Sequence, residues 1–107
     1  MAGHLHDLLK AAGEPTRLRI LNLLQHGSIC VCEIQSILQI PQPTVSRHLA
    51  ALRHVGLVRD SRNGTRVTYS LAPPNTLALE ALYEMMAKCL PGDEILQKDL
   101  RLLRSQS

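Results

Sequence analysis

The central amphipathic segment of this chain reads Pro41-Gln42-Pro43-Thr44-Val45-Ser46-Arg47-His48-Leu49-Ala50-Ala51-Leu52-Arg53-His54-Val55-Gly56. Its two prolines favour a helix start, where proline does least harm, and its last glycine favours a helix end. Apolar residues at helical spacing predict one buried face, made of Val45, Leu49 and Leu52. Away from that face lie Gln42, Ser46, Arg47, Ala50 and His54. Small polar groups with an arginine near the N-terminal end suit a helix that enters the major groove of DNA, although an ordinary solvated basic face would give the same pattern.

A shorter helix is predicted directly before this segment. Its apolar residues follow helical spacing as far as residue 38, so it starts near Val31 or Cys32. Residues 39–41 then lead into the central helix, and these parts make a helix-turn-helix. Two more helices are predicted upstream, over residues 4–12 and from Pro15 to about residue 25.

A β-hairpin is predicted after Gly56. Two strand-like runs, residues 57–62 and 65–71, enclose Asn63-Gly64, a strong hairpin signal. Arg62 and Arg66 flank the turn, where an arginine can reach the backbone or minor groove of DNA. A hairpin behind a helix-turn-helix is a wing, so the predicted fold is mainly α with a small β-hairpin: a winged helix-turn-helix.

Positive charge is concentrated in this same region. Residues 41–71 contain five arginines and Asp60 as their only acidic residue, so they carry +4, whereas the whole chain carries +3. A basic face confined to one segment is typical of phosphate contact, and we expect double-stranded DNA as a partner.

The size and composition favour one domain with a partner surface. The chain has 107 residues and lacks Phe and Trp, so its core must be built from smaller side chains. A helix predicted from Asn75 to residue 90 has more apolar residues than one small domain needs to cover. We therefore expect a homodimer in which this helix and the first helix pack across a two-fold axis. The predicted domain spans residues 1–92, followed by a C-terminal tail over residues 93–107.

Several classes of protein are disfavoured. No apolar run is long enough to span a membrane and nothing resembles a signal peptide, so we expect a cytoplasmic protein. No nucleophile–base arrangement, phosphate loop or paired carboxylates is found, so we expect neither an enzyme nor an organic cofactor. The three cysteines are too few for a disulfide framework and are available as thiols for metal or redox chemistry.

Taken together, residues 5–90 resemble the ArsR/SmtB family of dimeric winged-helix, metal-responsive repressors. The resemblance rests on residues 14–21 and 44–49, on Leu52-Arg53 with residues 56–58, and on the Asn63-Gly64 turn. It implies a repressor that leaves its operator when an effector binds. By motif match it assigns DNA contact to Gln42, Ser46 and Arg47. With their neighbours and the wing, the candidate DNA-binding residues are Gln42, Thr44, Ser46, Arg47, His48, Arg62 and Arg66.

The element Cys30-Val31-Cys32-Glu33 is similar to the Cys-Val-Cys-Asp element of arsenic-responsive members. It implies arsenite or antimonite as inducer, and thiolates do select soft ions. The candidate ligands are Cys30, Cys32 and Cys89, the last from the same or the other subunit, with a small cellular thiol as an alternative third donor. Zinc-type members use histidines on the last long helix and cadmium- or lead-type members add N-terminal cysteines, and this chain has neither. A redox switch that pairs Cys30 or Cys32 with Cys89, a cadmium- or lead-responsive protein, and incidental cysteines remain alternatives.

The two-residue spacing of Cys30 and Cys32 predicts a switch. Residues two apart on an α-helix point about 200° apart. With Val31 facing inward, we expect Cys30 and Cys32 to emerge on opposite flanks of the helical turn. One ion could then bind both sulfurs only by unwinding that turn, and the recognition helix would move with it. We therefore expect effector and DNA to favour different states of the protein.

Overall fold

The computed structural model describes residues 3–105, with the side chains of residues 5–89 and 91–105. Six helices and three strands follow along the chain. They are α1 (Gly3–Ala12), α2 (Pro15–Leu24), β1 (Ile29–Cys30), α3 (Val31–Leu38), α4 (Gln42–His54), β2 (Val58–Asn63), β3 (Arg66–Leu71), α5 (Leu77–Cys89), a 3-10 turn (Leu90–Gly92) and α6 (Glu94–Ser105). None of the described helices is long and apolar enough to cross a membrane.

Helices α3 and α4 form the predicted helix-turn-helix. The turn between them begins at Gln39, which adopts a left-handed conformation (φ 59°) and ends α3, and Pro41 caps α4. The predicted inward stripe of α4 is confirmed, because Val45, Leu49 and Leu52 are fully buried. They join one apolar core with side chains of α2, α3 and β2.

The hairpin of β2 and β3 forms the predicted wing, and a third strand extends it. The strand order is β1-β3-β2, all antiparallel, with Ile29 opposite Tyr69 and Cys30 opposite Thr68. Strand β1 has two residues, too few to show the alternation from which a strand is predicted. Its pairing holds Cys30 beside the wing, a placement that the sequence did not predict.

Helix α5 is attached to the base of the wing through Tyr83. The tyrosine hydroxyl donates to the carbonyl oxygens of Ala72 (2.7 Å) and Leu57 (3.3 Å), which lie at the two ends of the hairpin. The backbone N–H of Ala72 also donates to the carbonyl of Leu57, at 2.9 Å. The hairpin base is therefore fixed to α5.

The segment predicted as a tail contains α6, which packs on α2 and α3 instead of separating at residue 92. Asp99, only 1% exposed, accepts two hydrogen bonds from Arg19, from Nε at 2.9 Å and from Nη2 at 3.0 Å. Asn22, also buried, donates from Nδ2 to the carbonyl of Leu96 at 3.0 Å. These polar contacts stabilise α6 against α2 within the core, and Leu96 and Leu100 are buried beside them.

Helices α1 and α5 leave apolar side chains uncovered. Leu5 and Leu9 of α1 and Leu77 and Met85 of α5 are each more than half exposed. A cleft of about 830 Å³ opens between these two helices, lined in part by Leu5, Leu8, Ala78 and Leu79. This is the face on which the sequence predicts a second protomer.

Candidate DNA-binding face and thiol site

The N-terminal half of α4 presents three candidate DNA-binding residues to solvent. Gln42, Ser46 and Arg47 are exposed, because the buried stripe of α4 faces the core on the other side of the helix. Thr44 is half-buried. The wing adds Arg62 and Arg66, which are both exposed near its tip.

His48 lies differently from the other candidates. Its side chain is 18% exposed, and its Nδ1 accepts a hydrogen bond from Nε of Arg17 at 3.1 Å. Glu14, the N-cap of α2, accepts from the backbone N–H of Arg17 at 2.8 Å, and its carboxylate lies 3.7 Å from His48. His48 therefore links α4 to the start of α2. Sequence reasoning missed the roles of Glu14 and Arg17, since they depend on contacts between distant segments.

The two thiols lie at the N-terminus of α3. Cys30 is the N-cap, with extended backbone (φ −70°, ψ 143°), and its Sγ accepts a hydrogen bond from the N–H of Cys32 at 3.3 Å. The Glu33 carboxylate in turn accepts from the N–H of Cys30 at 3.3 Å, which completes a capping box. The expectation that the sulfurs would emerge on opposite flanks of a helical turn is wrong, because Cys30 precedes the helix.

The thiol pair has opposite shifts in pKa. Burial raises the pKa of Cys30, but hydrogen bonds from the Cys32 thiol and from the N–H groups of Cys32 and Glu33, together with the charge of Arg66, outweigh it and leave the pKa below the usual thiol value. The pKa of Cys32 is raised, first because its thiol donates to Cys30, then by burial and by the charge on Cys30. One sulfur that ionises easily therefore lies beside one that keeps its proton.

The wing reaches the thiol site through Arg66. Its guanidinium lies 3.7 Å from the same Glu33 oxygen that accepts from the N–H of Cys30, and its charge lowers the pKa of both thiols. On the other side of the wing, Arg53 pairs with Asp60 at 3.4 Å and joins the end of α4 to β2. The thiols, the capping carboxylate and the wing are thus in one chain of contacts.

Thiols and candidate DNA-binding residues also border one opening, which we call the thiol cleft. It has a volume of about 560 Å³ and lies between the start of α3, the start of α4 and the wing. Its lining consists of Cys30, Val31, Cys32, Gln35, Gln42, Ser46, Arg62, Thr65, Arg66, Val67 and Tyr69. Of the candidate DNA-binding residues, Gln42, Ser46, Arg62 and Arg66 border this cleft.

Cys89 does not join the pair within the described protomer. It is the last residue of α5, and its thiol is free and exposed. Among the described residues, no group of three or more His, Cys, Asp or Glu side chains could hold a metal ion. A third donor to Cys30 and Cys32 must therefore come from outside this set of residues.

A winged helix-turn-helix with this exposed basic face defines the class of winged-helix transcriptional regulators. The sequence profile of "Bacterial regulatory protein, arsR family" matches residues 14–60. The chain is 36% identical over 89 residues to the biofilm growth-associated repressor of Agrobacterium fabrum, covering 82% of this chain and 74% of that protein. The chain belongs to the ArsR family. Because its relatives are transcriptional regulators, the prediction that it is not an enzyme is confirmed.

Two further comparisons bear on function and assembly. The chain is 45% identical over 68 residues to the arsenical resistance operon repressor of Escherichia coli, covering 63% of this chain and 58% of that protein, less than two thirds of its length. The fold matches a homodimeric winged helix-turn-helix DNA-binding domain from Mycobacterium bovis, with a TM-score of 0.69, 32% identity and 87% of each chain covered. The predicted fold class is confirmed by this similarity.

Proposed function

We propose that this protein is a homodimeric transcriptional repressor that releases its operator when Cys30 and Cys32 bind trivalent arsenic or antimony. One observation carries the proposal: the two thiols cap the helix that supports α4 and border the same cleft as Gln42, Ser46, Arg62 and Arg66. The similarity to an arsenical resistance operon repressor supports arsenic as the effector.

The chemistry of the pair suits a soft, trivalent ion. Thiolates prefer such ions to hard cations such as magnesium or calcium. When arsenous acid reacts with two thiols, two As–S bonds form, two As–O bonds break and two waters leave with the thiol protons. Arsenic stays trivalent. The lowered pKa of Cys30 favours this sulfur as the first nucleophile.

The N-cap provides the coupling to DNA binding. The Cys30 sulfur accepts from the N–H of Cys32, and a bond from this sulfur to arsenic lowers its negative charge and redirects its remaining lone pairs, which weakens that hydrogen bond. Loss of an N-cap costs about 0.5–2 kcal/mol, and α3 packs directly on α4. The effector then binds more tightly to the state in which α3 has lost its N-cap, and DNA binds more tightly to the state in which the N-cap is intact. This mechanism replaces the unwinding expected from the sequence, since the sulfurs are already neighbours.

On the DNA side, Gln42, Thr44, Ser46, Arg47 and His48 are proposed to contact DNA, with Gln42, Ser46 and Arg47 on the bases. Arg62 and Arg66 are proposed to contact phosphates. The second protomer is proposed to cover the exposed apolar residues of α1 and α5. We place the protein in the cytoplasm, where DNA is accessible and thiols stay reduced.

A second candidate keeps the repressor and changes its signal. A thiol with a lowered pKa is also the one that reacts with oxidants, and Cys30 has that property. Oxidation would join Cys30 or Cys32 to Cys89, and it needs an external two-electron oxidant such as a peroxide. Cadmium and lead, which also prefer thiolates, belong to the same test.

The deciding experiment titrates a protein–operator complex with each signal. An operator is first selected from random duplexes, and binding is then followed by fluorescence anisotropy with arsenite, antimonite, cadmium, lead, zinc or peroxide. We expect arsenite and antimonite to weaken binding about 5- to 150-fold, the usual range of allosteric coupling. Cys30→Ser and Cys32→Ser should bind DNA without responding, and Cys89→Ser should respond normally. A response to peroxide alone that disappears in Cys89→Ser would establish the redox switch instead.

A further inference from the structure

The thiol pair leaves one bonding position on trivalent arsenic unfilled. Arsenic bound to thiolates takes three sulfurs in a pyramid, and this site offers Cys30 and Cys32. Within residues 3–105, excluding the side chains that are not described, no third cysteine, histidine or carboxylate completes a metal-binding group. The third donor would then come from the second protomer or from a small molecule.

The thiol cleft has room for such a donor. Its volume of about 560 Å³ compares with about 30 Å³ for one water molecule in the liquid. Cys30 and Cys32 line the cleft together with Arg62, Thr65 and Arg66 of the wing. A small molecule bonded to the arsenic would therefore lie within reach of the wing arginines.

Positive charge on the wing selects the chemistry of that molecule. Arg66 is 61% exposed and keeps free donors beyond its contact with Glu33. Arg62 is exposed and, among the described residues, has no side-chain hydrogen bond or ion pair. Arginine side chains bind carboxylates through paired hydrogen bonds.

We propose that the third sulfur comes from a small thiol that carries a carboxylate, held in the thiol cleft with its carboxylate toward Arg62 and Arg66. This inference rests on the proposed function. Arsenous acid exchanges three hydroxyls for three sulfurs, and each thiol proton leaves with a hydroxyl as water. No electron is transferred, and no oxidant or reductant is needed.

The bound thiol would also oppose DNA binding directly. It occupies the space between the start of α4 and the wing, which Gln42, Ser46, Arg62 and Arg66 border. Its carboxylate neutralises the two arginines that are proposed to contact phosphate. An anionic thiol should therefore strengthen the release of DNA by arsenite.

The experiment compares thiols of different charge. The reduced full-length protein, kept in a phosphine reductant, is titrated with arsenite in the presence of 3-mercaptopropionate (anionic), mercaptoethanol (neutral) or cysteamine (cationic). Calorimetry gives the apparent affinity, and native mass spectrometry gives the composition. The same series is run on Arg62→Gln/Arg66→Gln and on Arg101→Gln, which lies on α6 outside the cleft. Each free thiol has its own affinity for arsenite. For each protein we therefore divide the apparent arsenite affinity measured with the anionic thiol by the affinity measured with the cationic thiol, and we compare this ratio between proteins.

We expect a complex of one protomer, one arsenic and one mercaptopropionate. The anionic-to-cationic ratio should be about twofold to fivefold higher in the unmodified protein and in Arg101→Gln than in the double variant, within the range for exposed ion pairs. Equal ratios in all three proteins, or a complex without the small thiol, would overturn the inference and leave the proposed function standing. Absence of arsenic binding with every thiol would remove the proposed function as well.

Discussion

At the scale of single residues, Cys30 combines two roles that most helix caps keep separate. Its sulfur accepts the first backbone hydrogen bond of α3, and its backbone pairs with β3 of the wing. Serine and threonine usually cap helices, and neither binds arsenic as a thiolate does. A cysteine at this position would make the cap itself the ligand that we propose for arsenic.

Replacing Cys30 separates the cap from the ligand. Serine can cap the helix, so Cys30→Ser should keep its stability, whereas Cys30→Ala should lose about 0.5–2 kcal/mol. Urea unfolding of reduced protein measures both, with Cys89→Ser as the exposed control. A Cys30→Ser variant as unstable as Cys30→Ala would show that the sulfur does not act as a cap.

The ionisation of the thiols should depend on Arg66. The ultraviolet absorbance of thiolate follows this ionisation in the Cys89→Ser variant. The pair should lose its first proton at a pH below the usual thiol pKa and its second proton at a pH above that value. Arg66→Gln should move both steps to higher pH, since the charge of Arg66 lowers both pKa values. The stabilisation from Cys30 is complete above the ordinary thiol pKa and is lost as the pH falls through its lowered folded value. Two coincident steps would contradict these shifts.

Arg47 and Arg62 should differ in how they contribute to DNA binding. Arg47→Ala should weaken operator binding by about 1–3 kcal/mol and relax base preference at one position, because we propose that α4 enters the major groove. Arg62→Ala should weaken binding to all sequences alike and reduce the salt slope by about one. Competition assays at several salt concentrations separate the two effects. The reverse assignment would mean that the wing, and not α4, reads the bases.

At the scale of elements, α6 is held to α2 by a buried ion pair. Asp99 is nearly inaccessible, whereas the side chain of Arg19 is 28% exposed. The contact with Asp99 raises the pKa of Arg19, which keeps the guanidinium charged. Removing Arg19 and removing Asp99 should therefore have different consequences. Water can reach the partly exposed Arg19 when Asp99 is absent, but it cannot reach the buried Asp99 when Arg19 is absent.

Arg19→Ala should be the more damaging change. It leaves a buried carboxylate without its partner, at a cost of about 3 kcal/mol, and Asp99→Ala should cost less. The double variant Arg19→Met/Asp99→Leu should recover most of the stability, because an apolar pair suits this environment. Thermal unfolding of the three proteins tests this order. Equal losses in both single variants would indicate that α6 is bound mainly by Leu96 and Leu100.

The sequence predicts elements well where a pattern is long and local. The stripe of α4 and the Asn63-Gly64 turn belong to this kind, and the structure has both. Strand β1 was missed because two residues show no period, and with it the pairing of Cys30 with the wing. The packing of α6 was missed because Asp99, which binds it to α2, is a charged residue, and sequence patterns predict charged residues to be exposed.

At the scale of the whole molecule, the uncovered apolar residues of α1 and α5 form the face that we propose a partner covers. Burial of a leucine or methionine side chain contributes about 1.5–3 kcal/mol. The homodimeric relative from Mycobacterium bovis supports a second copy as that partner. Operator binding then depends on assembly, since each protomer provides one α4.

Charge on this face should dissociate the dimer. Leu5→Glu/Met85→Glu should weaken association at least tenfold, because both side chains lose their apolar burial, and should weaken operator binding with it. Analytical ultracentrifugation measures association, with Ile95→Glu on α6 as the matched control. If only the Ile95→Glu control dissociated, the interface would lie on α6 and not on α1 and α5.

The anchoring of the hairpin by Tyr83 has a consequence for target choice. Since the hydroxyl fixes both ends of the hairpin to α5, each wing should follow its own α5 as a rigid extension when two protomers assemble. The separation of half-sites that such a pair tolerates is then decided by the crossing of the two long helices. Substitutions in α5, far from any DNA base, could in this way change the half-site spacing that the protein prefers and therefore the promoters it binds.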